Sequence, residues 1–108
     1  MYEYAATVLK VVDGDTVHLE VDLGLDQSRK LSARLYGINA PELNTAAGKA
    51  ARQHLTFLLF GGDGPRVTVR TYKDRREKYG RYLGTLVKAG VDVNHQMVED
   101  GHAVVYRY

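Results

Sequence analysis

The sequence predicts a mainly β, α+β domain: a small five-stranded Greek-key barrel with one helix between the third and fourth strands and a short helix after the fifth. Three observations carry this. Alternating apolar residues recur in short runs broken by turn residues, cleanest at residues 16–22, where Val17, Leu19 and Val21 alternate with Thr16, His18, Glu20 and Asp22. One longer stretch, Ala47, Ala51, Leu55, Leu58 and Leu59, changes to helical spacing. The chain has 108 residues, enough for one domain with one modest core.

The elements follow in order. Residues 2–12 read as a first strand with both faces partly apolar, since Thr7, Leu9 and Val11 alternate with Val8, Lys10 and Val12. Asp13-Gly14 separates it from the second run, as in a tight antiparallel hairpin. Asp22 to Lys30 reads as a polar loop, and residues 30–37 as a third strand with Leu31, Ala33 and Leu35 on one face. Gly37 permits a bend, and Pro41 restricts Ala40 to extended geometry. Asn44 or Thr45 can cap the helix that Gly61-Gly62 ends. Residues 66–72 form a fourth strand, with Val67, Val69 and Thr71 inward. Lys73 to Gly80 is a charged loop, and 81–88 a fifth strand bent at Gly84. Asn94 is expected to cap the short second helix, with Val93 and Val98 as a hydrophobic staple and Gly101 as its end; an extended tail runs from Ala103 to Tyr108. This order fits a barrel of the oligonucleotide- and oligosaccharide-binding (OB) type.

Composition narrows the function classes. An apolar content of 44% against 26% charged suits a globular rather than a disordered chain. There is no cysteine, which excludes disulfides and thiolate metal sites. No apolar run is long enough to span a bilayer and Met1-Tyr2-Glu3 opens no signal-peptide pattern, so a cytoplasmic location is the default expectation. The net charge of +2 is unevenly spread: residues 66–81 hold seven basic and two acidic residues, a local +5 that leaves −3 elsewhere. A basic arc of this kind suits a polyanionic partner.

Three short motifs lie at strand ends: Asp13-Gly14-Asp15-Thr16; Arg34-Leu35-Tyr36-Gly37-Ile38-Asn39-Ala40-Pro41-Glu42; and Lys78-Tyr79-Gly80-Arg81. Singly, each reads more readily as a turn or a strand end with solvated charges than as a site. Their order and placement make the combination specific. Together with Tyr82-Leu83 and with Val93-Asn94 leading to Gly101-His102-Ala103, they resemble the staphylococcal nuclease family over nearly the whole chain.

That resemblance implies a single nuclease-like barrel domain over residues 1–108, acting as a calcium-dependent phosphodiesterase on DNA and RNA. Single-stranded or locally open substrate would be preferred, and 3′-phosphate ends would remain. It gives Asp15, Asn39 and the Ala40 carbonyl as metal ligands, and Arg34, Glu42 and Arg81 as the catalytic trio. Lys78, Tyr79, Tyr106 and Tyr108 would bind substrate. Asn39 stands where the family usually has aspartate, which predicts weaker calcium binding. Family members often continue into a third helix, which this sequence lacks; a monomer is expected, with one less-covered flank open to self-association. The chemistry is coherent, because guanidiniums grip phosphate oxygens in a fork and calcium takes oxygen ligands. The rival expectation is a catalytically weak or inactive module that binds nucleic acid or protein. Base specificity should be weak, since a metal and two arginines read phosphate. His18, His95 and His102 show no ligand-like spacing and read as surface residues, and His54 as a surface or boundary residue.

Overall fold

The structure, a computed structural model, describes residues 2–62, 64–76 and 80–107, with 72–76 by backbone alone. Five strands form the barrel: β1 (Tyr2–Asp13), β2 (Thr16–Gly24), β3 (Gln27–Leu35), β5 (Arg66–Arg76) and β6 (Tyr82–Lys88). Short β7 (Val91–Asp92) pairs with β6, β4 (Ile38–Asn39) and β8 (Val104–Val105) pair with each other in a separate two-stranded sheet, and helices α1 (Ala46–Phe60) and α2 (Val93–Glu99) pack outside. The order β3-β2-β1-β5-β6 is antiparallel throughout, and a parallel seam of three residue pairs, Ala33↔Tyr82, Arg34↔Leu83 and Leu35↔Gly84, closes β3 on β6. Closure removes the open sheet edges that would invite aggregation.

The interior is built from inward positions of all five strands plus one face of each helix. Val17, Leu19, Leu35, Leu55, Leu59, Leu86 and Met97 are its largest fully buried side chains. β1 changes phase: Ala6 and Val8 face inward, then Val11, because the register shifts between Val8 and Lys10. That bulge explains why both faces of the segment look apolar, and Leu9 falls on the exposed side.

Several local expectations are corrected. Asp22 to Lys30 is no loop: β2 and β3 continue through it and turn at Leu25-Asp26, both at positive φ. Polar side chains are tolerated there because this hairpin stands clear of the core, with residues 22–30 exposed. β5 likewise runs on to Arg76, into the segment read as a charged loop. In α1 the cap is Thr45, one of the two expected candidates, whose hydroxyl accepts from Gly48 N at 3.0 Å; on the helix face, however, Gly48 rather than Ala47 is buried. Asn94 does not cap α2. Asp92 does, accepting from His95 N at 2.9 Å, while Asn94 is buried inside the helix. Its amide donates to the carbonyls of Tyr36 (2.9 Å) and Gly84 (3.1 Å), and its oxygen accepts from Leu86 N (3.1 Å). One side chain thus ties α2 to β6 and to the turn after β3.

Candidate active site

The site begins with two turns that must nest closely. Gly14 lies between β1 and β2, where a Cβ would sit 2.6 Å from the Ala40 Cβ and 2.8 Å from the Ala51 Cβ. Only glycine lets the Asp13–Asp15 turn approach both the β4 loop and α1. Gly48 is constrained harder, since a Cβ there would fall 1.8 Å from the Glu42 carbonyl oxygen. That carbonyl also accepts from the Thr45 hydroxyl at 2.6 Å and from Thr45 N at 3.0 Å. The first turn of α1 therefore holds the Pro41–Leu43 backbone in place.

Within this frame the polar groups converge on Asp15, a residue only 8% exposed. Its Oδ2 accepts from Ala40 N at 2.8 Å and lies 3.5 Å from Arg34 Nη1. Its Oδ1 accepts from the Thr16 hydroxyl at 3.3 Å, and Thr16 Oγ1 in turn accepts from Arg81 Nη1 at 3.1 Å. The Arg34 guanidinium is oriented by the turn it precedes: Nη1 donates to the carbonyls of Ile38 (2.9 Å) and Leu35 (3.2 Å), and Nη2 to Asn39 Oδ1 (3.1 Å). Burial and the neighbouring Asp13 push the Asp15 carboxyl above the usual range, with the Ala40 N–H and Arg34 pulling the other way. The result is a buried carboxylate tied to Arg34 directly and to Arg81 through Thr16.

Of the residues the sequence singles out, Asp15, Arg34, Asn39, Ala40 and Arg81 are brought into one network. Glu42 is exposed in the adjoining loop, and among the described residues no hydrogen bond or ion pair joins its carboxylate to that network. Tyr106 is 45% exposed and lies beside the same turn, its N–H donating to Gly37 O at 2.8 Å. Lys78, Tyr79 and Tyr108 lie outside the described residues.

Among the described residues no three His, Cys, Asp or Glu side chains converge as a metal cluster. The groups around Asp15 do fit a hard cation, since carboxylate, amide and carbonyl oxygens are its preferred donors. Of the expected ligands only Asp15 is a carboxylate, with the Asp13 carboxyl beside it, and the Asn39 oxygen is shared with Arg34.

A family model described as staphylococcal nuclease homologue matches residues 32–108. This chain belongs to that family. Endonuclease YhcR of Bacillus subtilis (strain 168) is 34% identical over 117 residues, covering 96% of this chain and 9% of the relative. Micrococcal nuclease of Shigella flexneri is 31% identical over 115 residues, covering 98% and 60% respectively. Probable staphylococcal-like nuclease CAN2 of Oryza sativa subsp. japonica is 34% identical over 76 residues, covering 70% and 19%. The chain thus spans at most 60% of the length of these relatives.

Within this family domain, sequence reasoning missed Thr16 as a site residue. It is 3% exposed and its hydroxyl is the link between Arg81 and Asp15. Its place directly after Asp15 at the start of β2 was the available signal. Among the histidines, His102 departs from the expected surface position, while His54 is a boundary residue as expected. His54 and His102 are half-buried and stacked, with ring centroids 4.4 Å apart, and His54 Nε2 meets Asp100 Oδ2 at 2.6 Å. His18 and His95 are exposed, as expected.

Proposed function

We propose that this chain is a calcium-dependent nuclease that hydrolyses phosphodiester bonds of DNA and RNA, leaves 3′-phosphate ends and reads bases weakly. The observation that carries the reading is the joining of Arg34 and Arg81 to opposite oxygens of one buried carboxylate, Asp15, the second through Thr16. Two forked cations anchored to one carboxylate would form a cradle for a phosphate whose oxygens gain negative charge in the transition state. Relatives named as nucleases support the same reading.

Asp15, Asn39 and the Ala40 carbonyl are the groups that would hold calcium; when bound, it supplies Lewis-acid charge to a phosphoryl oxygen and lowers the pKa of nearby water. Arg34 grips the phosphate from the β3 side and Arg81 from the β6 side of the barrel seam. Glu42, exposed in the loop after β4, orients the attacking water and accepts its proton. The water oxygen forms the new bond to phosphorus in line with the bond to the 5′ oxygen, which breaks. The 5′ oxygen leaves and acquires a proton, and the phosphate remains on the 3′ side.

Digestion of plasmid and single-stranded DNA and of RNA, with calcium or with chelator and with analysis of product ends, tests this. Arg34→Ala, Arg81→Ala and Glu42→Gln should each lower the rate by about 10²–10³-fold, the usual cost of removing one transition-state contact. Unchanged rates in all three would refute the assignment. A second reading, a nucleic-acid-binding module without catalysis, draws on Asn39, which supplies no charge and whose oxygen Arg34 already engages. Salt-sensitive binding without degradation in either condition would favour it.

A further inference from the structure

A second concavity opens directly beside the candidate active site. Antiparallel pairing of Asn39 with Val104 and Ile38 with Val105 sets the β4 loop against the segment that follows α2. Between them lies a cleft of about 230 Å³, with Asn39, Ala40 and Pro41 on one wall and Gly101, His102, Ala103 and Val104 on the other. Two of its lining residues, Asn39 and Ala40, belong to the phosphate-proximal network. Whatever occupies the cleft is therefore the immediate neighbour of the group held by Arg34 and Arg81.

Among the described residues the lining mixes polar and apolar surface and includes no lysine or arginine to hold a phosphate. A planar base would find small apolar contacts and one aromatic ring, His102. That ring is fixed in advance: it stacks on His54 at 4.4 Å with the planes 24° apart, and His54 Nε2 meets Asp100 Oδ2 at 2.6 Å. Gln96 Nε2 donates to the other Asp100 oxygen at 2.8 Å, and His102 N donates to Met97 O at 2.9 Å. The order is built into the fold, so binding does not have to immobilise the ring. We infer that this cleft is a nucleobase subsite for the nucleotide flanking the scissile phosphate, with the His102 imidazole as its stacking surface.

The inference rests on the nuclease reading for the position of the scissile bond, and the test separates the two. Single-stranded oligonucleotides carrying one cleavable phosphodiester, with methylphosphonates at the other links, are compared with versions holding an abasic residue on either side of that link. In the unmodified protein, an abasic residue on one side should raise KM by about five- to tenfold, with kcat within about twofold, as expected for loss of one stacked base. His102→Ala should raise KM for the intact strand by a similar factor and should no longer distinguish abasic from intact. His102→Phe should restore the distinction, as a residue that acts only by fixing the α1–α2 junction would not.

An abasic penalty of unchanged size in His102→Ala would overturn the inference. So would the absence of any penalty in the unmodified protein, a comparison that needs no variant to fold. If no strand is cleaved, the nuclease reading fails on its own account, and the same comparison is made as Kd by fluorescence anisotropy in chelator. Loss of the abasic penalty in His102→Ala then supports the base subsite, and its persistence refutes it.

Discussion

Single side chains in this domain serve the site at a cost to the fold. Asp15 is the clearest case: burial and Asp13 push its carboxyl upward, so the folded protein disfavours the ionised form relative to the unfolded chain. That penalty is present at pH above the folded pKa and disappears as acid neutralises the group. Asp15→Asn should therefore raise Tm at neutral pH, with the gain over the parent shrinking as pH falls into and below the carboxylate range, while cleavage is lost. Matched thermal melts across pH check this; a Tm difference that grows on acidification would contradict it. Asn39 poses the converse question. Asn39→Asp adds a second carboxylate where the oxygen now accepts from Arg34 Nη2. Calcium affinity, measured by calorimetry, should rise by about tenfold, the effect of roughly 1.4 kcal/mol of added attraction. Equal affinities in the two proteins would show that the Asn39 oxygen takes no part.

At the scale of elements, the site depends on joints, and two of them can be broken selectively. Asn94 joins α2 to the Tyr36 carbonyl and to β6 through three hydrogen bonds. Asn94→Ala removes all three hydrogen bonds at once, leaving Gly84 O with Tyr36 N but taking the partner of the buried Leu86 N, and should cost about 2–4 kcal/mol in urea unfolding. Asp92→Ala, which removes only the cap, should cost about 1 kcal/mol. Equal costs would mean that Asn94 acts merely as a helix residue. Gly48→Ala should cost about 1–3 kcal/mol through overpacking and should depress cleavage as well, since the displaced backbone is that of Glu42. The Asn94 joint also shows where sequence reading stops. Asn before an apolar helical run looks like a cap, and only tertiary packing reveals that the amide is turned inward to β6. Residues 22–30 fail for a related reason: a hairpin that stands clear of the core has no apolar alternation to betray it. The barrel strands with buried faces, such as Val17, Leu19 and Val21, were legible because one face had to be apolar.

For the whole molecule, legibility follows whether a role is local or shared. Asp15, Arg34 and Arg81 could be named from short motifs, and the barrel seam explains why they meet, with Arg34 in the pair opposite Leu83, two residues beyond Arg81. His102 could not be assigned in that way, because its ring partner His54 lies 48 residues away, and Thr16, although next to Asp15, gains its link to Arg81 only across 65 residues. Charge is likewise a matter of distribution. A protein of net charge +2 would release few counterions on binding if its mean charge governed the encounter. The 66–81 segment instead holds seven basic residues, although Arg70 is partly compensated by Glu3 at 2.9 Å. If this segment tracks the phosphate backbone, single-strand binding in chelator should weaken with salt at a log–log slope steeper than about −2, approaching about −4 as six cations engage. Neutralising Arg70 should leave the slope nearly unchanged, because its charge is already spoken for by Glu3, whereas Arg81→Gln should reduce it by about 0.7. A slope near −1, insensitive to Arg81, would place the nucleic acid away from the basic segment and would remove Arg81 from the phosphate cradle.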